Sequence, residues 1–111
     1  MQVNEYQKAA METLTPALNQ KEVLINSVMG LCGESGEAID IVKKWLMQGH
    51  ELDQEHLVKE LGDVAWYLAE AATALDVPLE VIFQGNLDKL RRRFPNGFDT
   101  EASVNRKQGD I

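Results

Sequence analysis

A chain of 111 residues with 44% hydrophobic and 26% charged side chains has the size and composition of one globular domain rather than a disordered segment. Its net charge of −7 gives no basic footprint for a nucleic-acid backbone and no attraction to an anionic membrane, but it is compatible with cation binding. No apolar run reaches the ~18 residues of a membrane helix, and Cys32, the only cysteine, can form no internal disulfide, which fits a reducing cytoplasm.

The spacing predicts a first helix over residues 4–14, broken at Thr15-Pro16 because proline disfavours helix at the residue before it. A longer helix is expected over 21–47, with Val28, Leu31, Ile39, Val42 and Leu46 at helical intervals and Gly49 just past its end. Cys32 falls in this apolar stretch and reads as core. Gly30, Gly33 and Gly36 lie inside the same helix, at a cost of roughly 1 kcal/mol each relative to alanine. Close helix approach, or room for a ligand, would compensate.

Asp53 is a candidate N-cap for a third helix over 54–75. Leu57, Leu61, Val64, Leu68, Ala72 and Leu75 make its apolar stripe, and Glu60, Asp63, Tyr67 and Glu70 a second stripe beside it. Pro78 can open a fourth helix carrying Leu79, Ile82, Phe83, Leu87, Leu90 and Phe94 on one face. Residues 94–98 form a turn, and the polar stretch 99–111 reads as an extended or disordered arm. The expectation is an all-α fold, a four-helix antiparallel bundle within residues 1–98. Its apolar faces are wider than one thin bundle covers, so homo-oligomerisation is expected to complete it.

Two acidic pairs carry the chemistry. Glu34 and Glu37, and then Glu60 and Asp63, are each spaced i, i+3, so each pair projects from one helix face. If the helices pack face to face, four carboxylates converge. Two such charges ~5 Å apart repel by roughly 3 kcal/mol at an effective dielectric of ~20. A divalent cation reverses that repulsion, and hard oxygen ligands suit Mg²⁺ or Mn²⁺. Asp40 lies one turn past Glu37, and Lys43 and Lys44 read as a salt-bridged helix end. His50 and His56 read as surface residues.

Three segments carry a resemblance: residues 30–38 (Gly-Leu-Cys-Gly-Glu-Ser-Gly-Glu-Ala), 59–67 (Lys-Glu-Leu-Gly-Asp-Val-Ala-Trp-Tyr) and 86–98 (Asn-Leu-Asp-Lys-Leu-Arg-Arg-Arg-Phe-Pro-Asn-Gly-Phe). Together, in this order and at this spacing, they resemble the compact MazG-like nucleoside triphosphate pyrophosphohydrolases. The resemblance implies an all-α, Mg²⁺-dependent hydrolase that releases pyrophosphate from (deoxy)nucleoside triphosphates, working as a homodimer or homotetramer. It implies that Glu34, Glu37, Glu60 and Asp63 are the metal-binding catalytic acids. Longer members carry a glutamate where this chain has Gly33, whereas compact members resembling deoxycytidine triphosphate pyrophosphatases have glycine. The number of metal ions therefore stays open.

The resemblance also places Lys89 and Arg93 near the substrate phosphates, with Asn86 on the same face; an Arg fork neutralises a phosphate bidentately. Tyr67 or Trp45 could stack on a base, against the alternative of simple packing. Arg91 and Arg92 read as solvated. No phosphate-binding loop and no evident Ser or Cys nucleophile is present, which favours direct attack by water. A phosphoribosyl-ATP pyrophosphatase-like enzyme, and a non-catalytic helical module that binds metal or nucleotide, are the alternatives. A di-iron carboxylate bundle would need Glu-x-x-His pairs, and the chain has none.

Overall fold

A computed structural model describes residues 1–107 and 109–111. Among the described residues the chain is all-helical, with no strand: α1 (Val3–Met11), α2 (Gln20–Met47), α3 (Gln54–Ala74), α4 (Leu79–Arg93) and α5 (Thr100–Val104). It divides into two compact units, Met1–Leu79 and Glu80–Ile111.

In the first unit, α3 packs against both α2 and α1. Local chemistry sets each boundary. α1 stops at Met11, three residues before the expected end, where the Thr13 hydroxyl donates to the Ala10 carbonyl (2.7 Å) and tight i−3 bonds take over. α2 opens on a capping box: Asn19 Oδ1 accepts from Glu22 N (2.9 Å) and Glu22 Oε1 accepts from Asn19 N (3.1 Å). Asp53 caps α3 as expected, accepting from His56 N at 3.1 Å. α3 ends in a Schellman turn, with Val77 N bonded to Ala72 O and Asp76 in the left-handed region at φ 56°.

The α2–α3 contact is built largely from small and polar side chains rather than from the full expected apolar stripe. α2 buries Val23, Ser27 and Ile41; α3 buries Glu60, Ala69, Glu70, Ala72 and Ala74. Both carboxylate oxygens of the wholly buried Glu70 accept from Asn26 Nδ2, at 3.0 and 2.9 Å. Gly30 is the one interior glycine used for close approach: a Cβ there would overlap the Tyr67 ring, whereas Gly33 and Gly36 face open space. Trp66 fastens α1 to α3, its Nε1 donating to Ala10 O (3.1 Å) and Thr13 Oγ1 (2.8 Å). Gln7 completes the seam, accepting from Leu79 N (2.7 Å) and donating to Thr73 Oγ1 (3.1 Å).

Much of the expected apolar surface is bare. Val28, Ile39 and Leu46 of α2, and Leu61 and Leu75 of α3, are exposed. Cys32 is exposed too, correcting its assignment to the core, because it shares the bare side of α2. The four-helix bundle is not confirmed: α1, α2 and α3 make the first unit, and α4 opens the second.

α4 begins at Leu79, the last residue of the first unit and the one buried residue of its expected apolar face; in the second unit Phe83, Leu87 and Leu90 are exposed. The chain turns through Gly97 (φ 87°), which stacks Phe94 on Phe98 at 5.3 Å. The expected arm holds a short helix instead, α5, capped by Asp99 through Glu101 N at 3.1 Å.

Candidate active site

α2 and α3 bring the carboxylates of Glu34, Glu37 and Glu60 together, with oxygens from all three within 4.8 Å of one another. They converge because Glu34 and Glu37 sit one turn apart on α2 and Glu60 is buried on the facing side of α3. Asp63, one turn beyond Glu60, is exposed and does not share that point, but its charge reaches the cluster. It raises the pKa of Glu34 and Glu37 and contributes to the raised Tyr6 hydroxyl, which is held up first by burial.

Like charges at this distance cannot all persist without a counterion. Glu34 is pushed up to about 7, first by a hydrogen bond shared with Glu60, then by burial and the neighbouring charges. Glu37 is also raised, again mainly by Glu60. Glu60 moves the other way: hydrogen bonding to Glu34, then to Glu37 and His56, holds it below the usual carboxylate range. The cluster is therefore short of positive charge. Glu34 Oε2 and Glu60 Oε2 are buried without a hydrogen-bond partner, as expected of atoms shaped for a ligand. Three hard oxygen donors with two orphaned oxygens fit a divalent cation of the Mg²⁺ class.

A cavity of about 590 Å³ opens beside the cluster, lined by Gly33, Gly36, Glu37, Asp40, Lys44, His50 and His56 among others. The two glycines without close neighbours thus border empty space. Asp40 is tied to Lys44 (3.1 Å) and Lys43 (3.6 Å), which keeps its carboxyl low, so these three form the salt-bridged helix end expected of the lysines. His56 is more than a surface residue. Its Nε2 lies 3.0 Å from Glu60 Oε1, and its Nδ1 lies 3.8 Å from Asp53. The i, i+4 spacing of His56 and Glu60 is the signal that could have revealed this pair.

Tyr67 packs its ring on Gly30 and meets Trp66 edge-on, with centroids 5.0 Å apart. The contact shown is packing. Trp45 is exposed. In the second unit, Arg93 is engaged with a residue that carried no role in the sequence: Nε and one terminal nitrogen donate to the two oxygens of Asp110, both at 2.8 Å. Lys89 lines a cavity of about 410 Å³ with Arg92, Arg93 and Lys107. Asn86 is exposed on α4 and does not line that cavity.

An all-helical unit that concentrates carboxylates at one helix pair beside a cavity has the makings of a cation-assisted enzyme. Residues 24–98 match the model of the MazG nucleotide pyrophosphohydrolase domain, and the chain belongs to that family of hydrolases. It is also 39% identical to the Gene 37 protein of Mycobacterium phage L5, over 96% of this chain and 100% of that protein. No solved structure matches it. No helix among the described residues is long and apolar enough to cross a membrane.

Proposed function

We propose that the protein is a Mg²⁺-dependent pyrophosphohydrolase that converts (deoxy)nucleoside triphosphates to nucleoside monophosphate and pyrophosphate, with residues 1–98 as its catalytic domain. The observation that carries this reading is the convergence of Glu34, Glu37 and Glu60, with two orphaned buried oxygens, beside an open cavity in a chain of this family.

Glu34, Glu37, Glu60 and Asp63 would hold the cation, the first three from the point where their oxygens converge and Asp63 from one turn beyond Glu60. When bound, Mg²⁺ or Mn²⁺ would neutralise phosphate charge and lower the pKa of water. The side chains have separable tasks. His56 orients Glu60 through its 3.0 Å contact and, after Glu34 and Glu37, adds to the hydrogen bonding that holds the Glu60 carboxyl low. Glu34, whose carboxyl is pushed up to about 7 first by its hydrogen bond with Glu60, would be ionised by a bound cation. Gly33 and Gly36 leave the wall beside Glu37 without side chains, giving room for a nucleotide. Water attacks the α-phosphorus, the bond to the bridging oxygen breaks, and pyrophosphate leaves. For Lys89 and Arg93 we propose contact with the phosphates, as the resemblance implies and as the cations around the second cavity support, and for Asn86, on the same helix face, contact with the substrate. For Tyr67, one turn past Asp63 on α3, we propose contact with the base.

The protein is further proposed to act in the cytoplasm as a homodimer or homotetramer, independently of nucleic acid and membranes. The bare apolar side of α2 supports self-association. The deciding experiment incubates the protein and Mg²⁺ with a panel of natural and damaged nucleotides and resolves the products by chromatography. Monophosphate and pyrophosphate are expected in one step, with free phosphate appearing only after an inorganic pyrophosphatase is added. Accumulation of nucleoside diphosphate would contradict the reading, and no turnover of any nucleotide would favour a binding module.

A further inference from the structure

Within the second unit, four cationic side chains, Lys89, Arg92, Arg93 and Lys107, line a cavity to which, among the described residues, one carboxylate side chain, Asp110, is contributed. This is unusual in a chain whose net charge is −7. Asp110 does not merely approach these cations. It takes both donors of the Arg93 fork, at 2.8 Å each, with the two side chains only 10% and 18% exposed. Parallel two-point docking on guanidinium is the geometry that a phosphate oxygen pair adopts. The carboxylate is also presented by a built turn: Asp110 N bonds to Lys107 O at 3.1 Å, and Gly109 holds φ 85°, which favours glycine. The hydrogen bonds from Arg93, and then the charges of Arg93, Arg106 and Lys89, hold the Asp110 carboxyl below its usual range.

We propose that this cavity is a phosphoryl-anion site that the chain closes on itself, with Asp110 standing in on Arg93 for a phosphate group of the pyrophosphate class. A phosphoryl anion must displace Asp110, which acts as a tethered competitor. The cavity is then an intrachain latch, closed in the absence of anion and opened by a ligand carrying more charge than one carboxylate. The proposal rests on the reading that Arg93 and Lys89 meet phosphate, but it concerns a state of the protein in which no nucleotide is turned over.

A tethered competitor lowers apparent affinity by the fraction of time the site is open. A latch closed ~90% of the time weakens binding about tenfold. The test titrates inorganic pyrophosphate into the metal-free full-length protein by calorimetry. Asp110→Asn should bind about tenfold more tightly than the unaltered chain, whereas Asp110→Glu, which keeps the charge, should stay near it. A second measurement needs no substitution: carbon NMR of the Asp110 carboxylate and nitrogen NMR of Arg93 Nε during the same titration. Saturating pyrophosphate should move the Asp110 carboxylate to the shift of a free side chain while the Arg93 signal stays in a bonded position. If the unaltered chain binds pyrophosphate through Arg93 but Asp110 does not move and Asp110→Asn gains nothing, the latch is wrong and the phosphate reading stands. If neither the unaltered chain nor Asp110→Asn perturbs Arg93 with pyrophosphate, both fall.

Discussion

Glu34 concentrates the electrostatic problem of this protein in one side chain. Its carboxyl is pushed from an ordinary 4.5 up to about 7, first by Glu60. The folded chain thus keeps a proton that the unfolded chain releases. That contribution to stability is complete below pH ~4.5 and is lost as pH rises through about 7. Glu37 acts in the same direction. Glu60, whose pKa is lowered, acts in the opposite sense, in a window below its ordinary value. Two outcomes follow for the metal-free protein between pH 5 and 8: stability should decline, and added Mg²⁺ should restore more of it at the upper end. Because a cation binds the ionised cluster, binding near pH 6.5 should release protons. Calorimetry in buffers of differing ionisation enthalpy measures that release, and a buffer-independent heat would show that Glu34 is not a ligand. The acids can also be removed singly. Glu37→Gln and Asp63→Asn should each abolish turnover. Stability without Mg²⁺ should hold or rise, since each change relieves repulsion, while the gain on adding Mg²⁺ shrinks. Thermal melts with and without Mg²⁺, run beside a turnover assay, check both halves. Near-wild-type rates would remove these residues from the mechanism.

At the scale of elements, the three glycines of α2 separate into two kinds. Gly30 lies where α2 meets the Tyr67 ring of α3, and Gly33 and Gly36 border open space. Gly30→Ala gains helix propensity of about 1 kcal/mol but forces a Cβ into a ring braced by Trp66, an overpacking cost of roughly 1–3 kcal/mol. It should lower stability. Gly33→Ala meets no neighbour and should raise it by up to ~1 kcal/mol. Urea titrations of both variants compare the signs, and the same sign in both would contradict this assignment of roles. Helix positions were legible in the chain because propensity, capping and proline are local: Asp53 was recognisable as a cap, and residue 47 as an end. The convergence of Glu34, Glu37 and Glu60 was legible because i, i+3 spacing fixes a face. The reciprocal Asn19–Glu22 box starts α2 at Gln20, one residue before the expected start at 21. What periodicity could not supply was the partner of each face. Val28, Ile39 and Leu46 have helical spacing whether a core or a second molecule covers them. Asp110 was illegible for another reason: its contact with Arg93 spans 17 residues and depends on a turn at Gly109.

At the scale of the molecule, α2 has two sides with different partners. Val23, Ser27, Gly30, Glu34 and Ile41 lie toward α3, while Val28, Ile39 and Leu46 project from nearly the opposite side at 100° per residue. Those three are 57%, 62% and 63% exposed in the single chain. Leaving them in water forgoes roughly 1.5–3 kcal/mol for each that could be fully buried, and a second copy of the same face supplies that burial. Leu46→Glu separates this question from the chemistry, because residue 46 is remote from the carboxylate cluster along α2. The change should cost little in a lone chain, where position 46 is already exposed. Across a self-complementary interface it places two like charges in an apolar setting, which opposes association. Sedimentation at micromolar concentration should therefore show a dimer or tetramer for the unaltered protein and a monomer for Leu46→Glu. The melting temperature should depend on protein concentration only in the former. The monomer should still bind Mg²⁺, since Glu34, Glu37 and Glu60 all come from one chain. A stable, active monomer of the unaltered protein would show that this face serves no second copy.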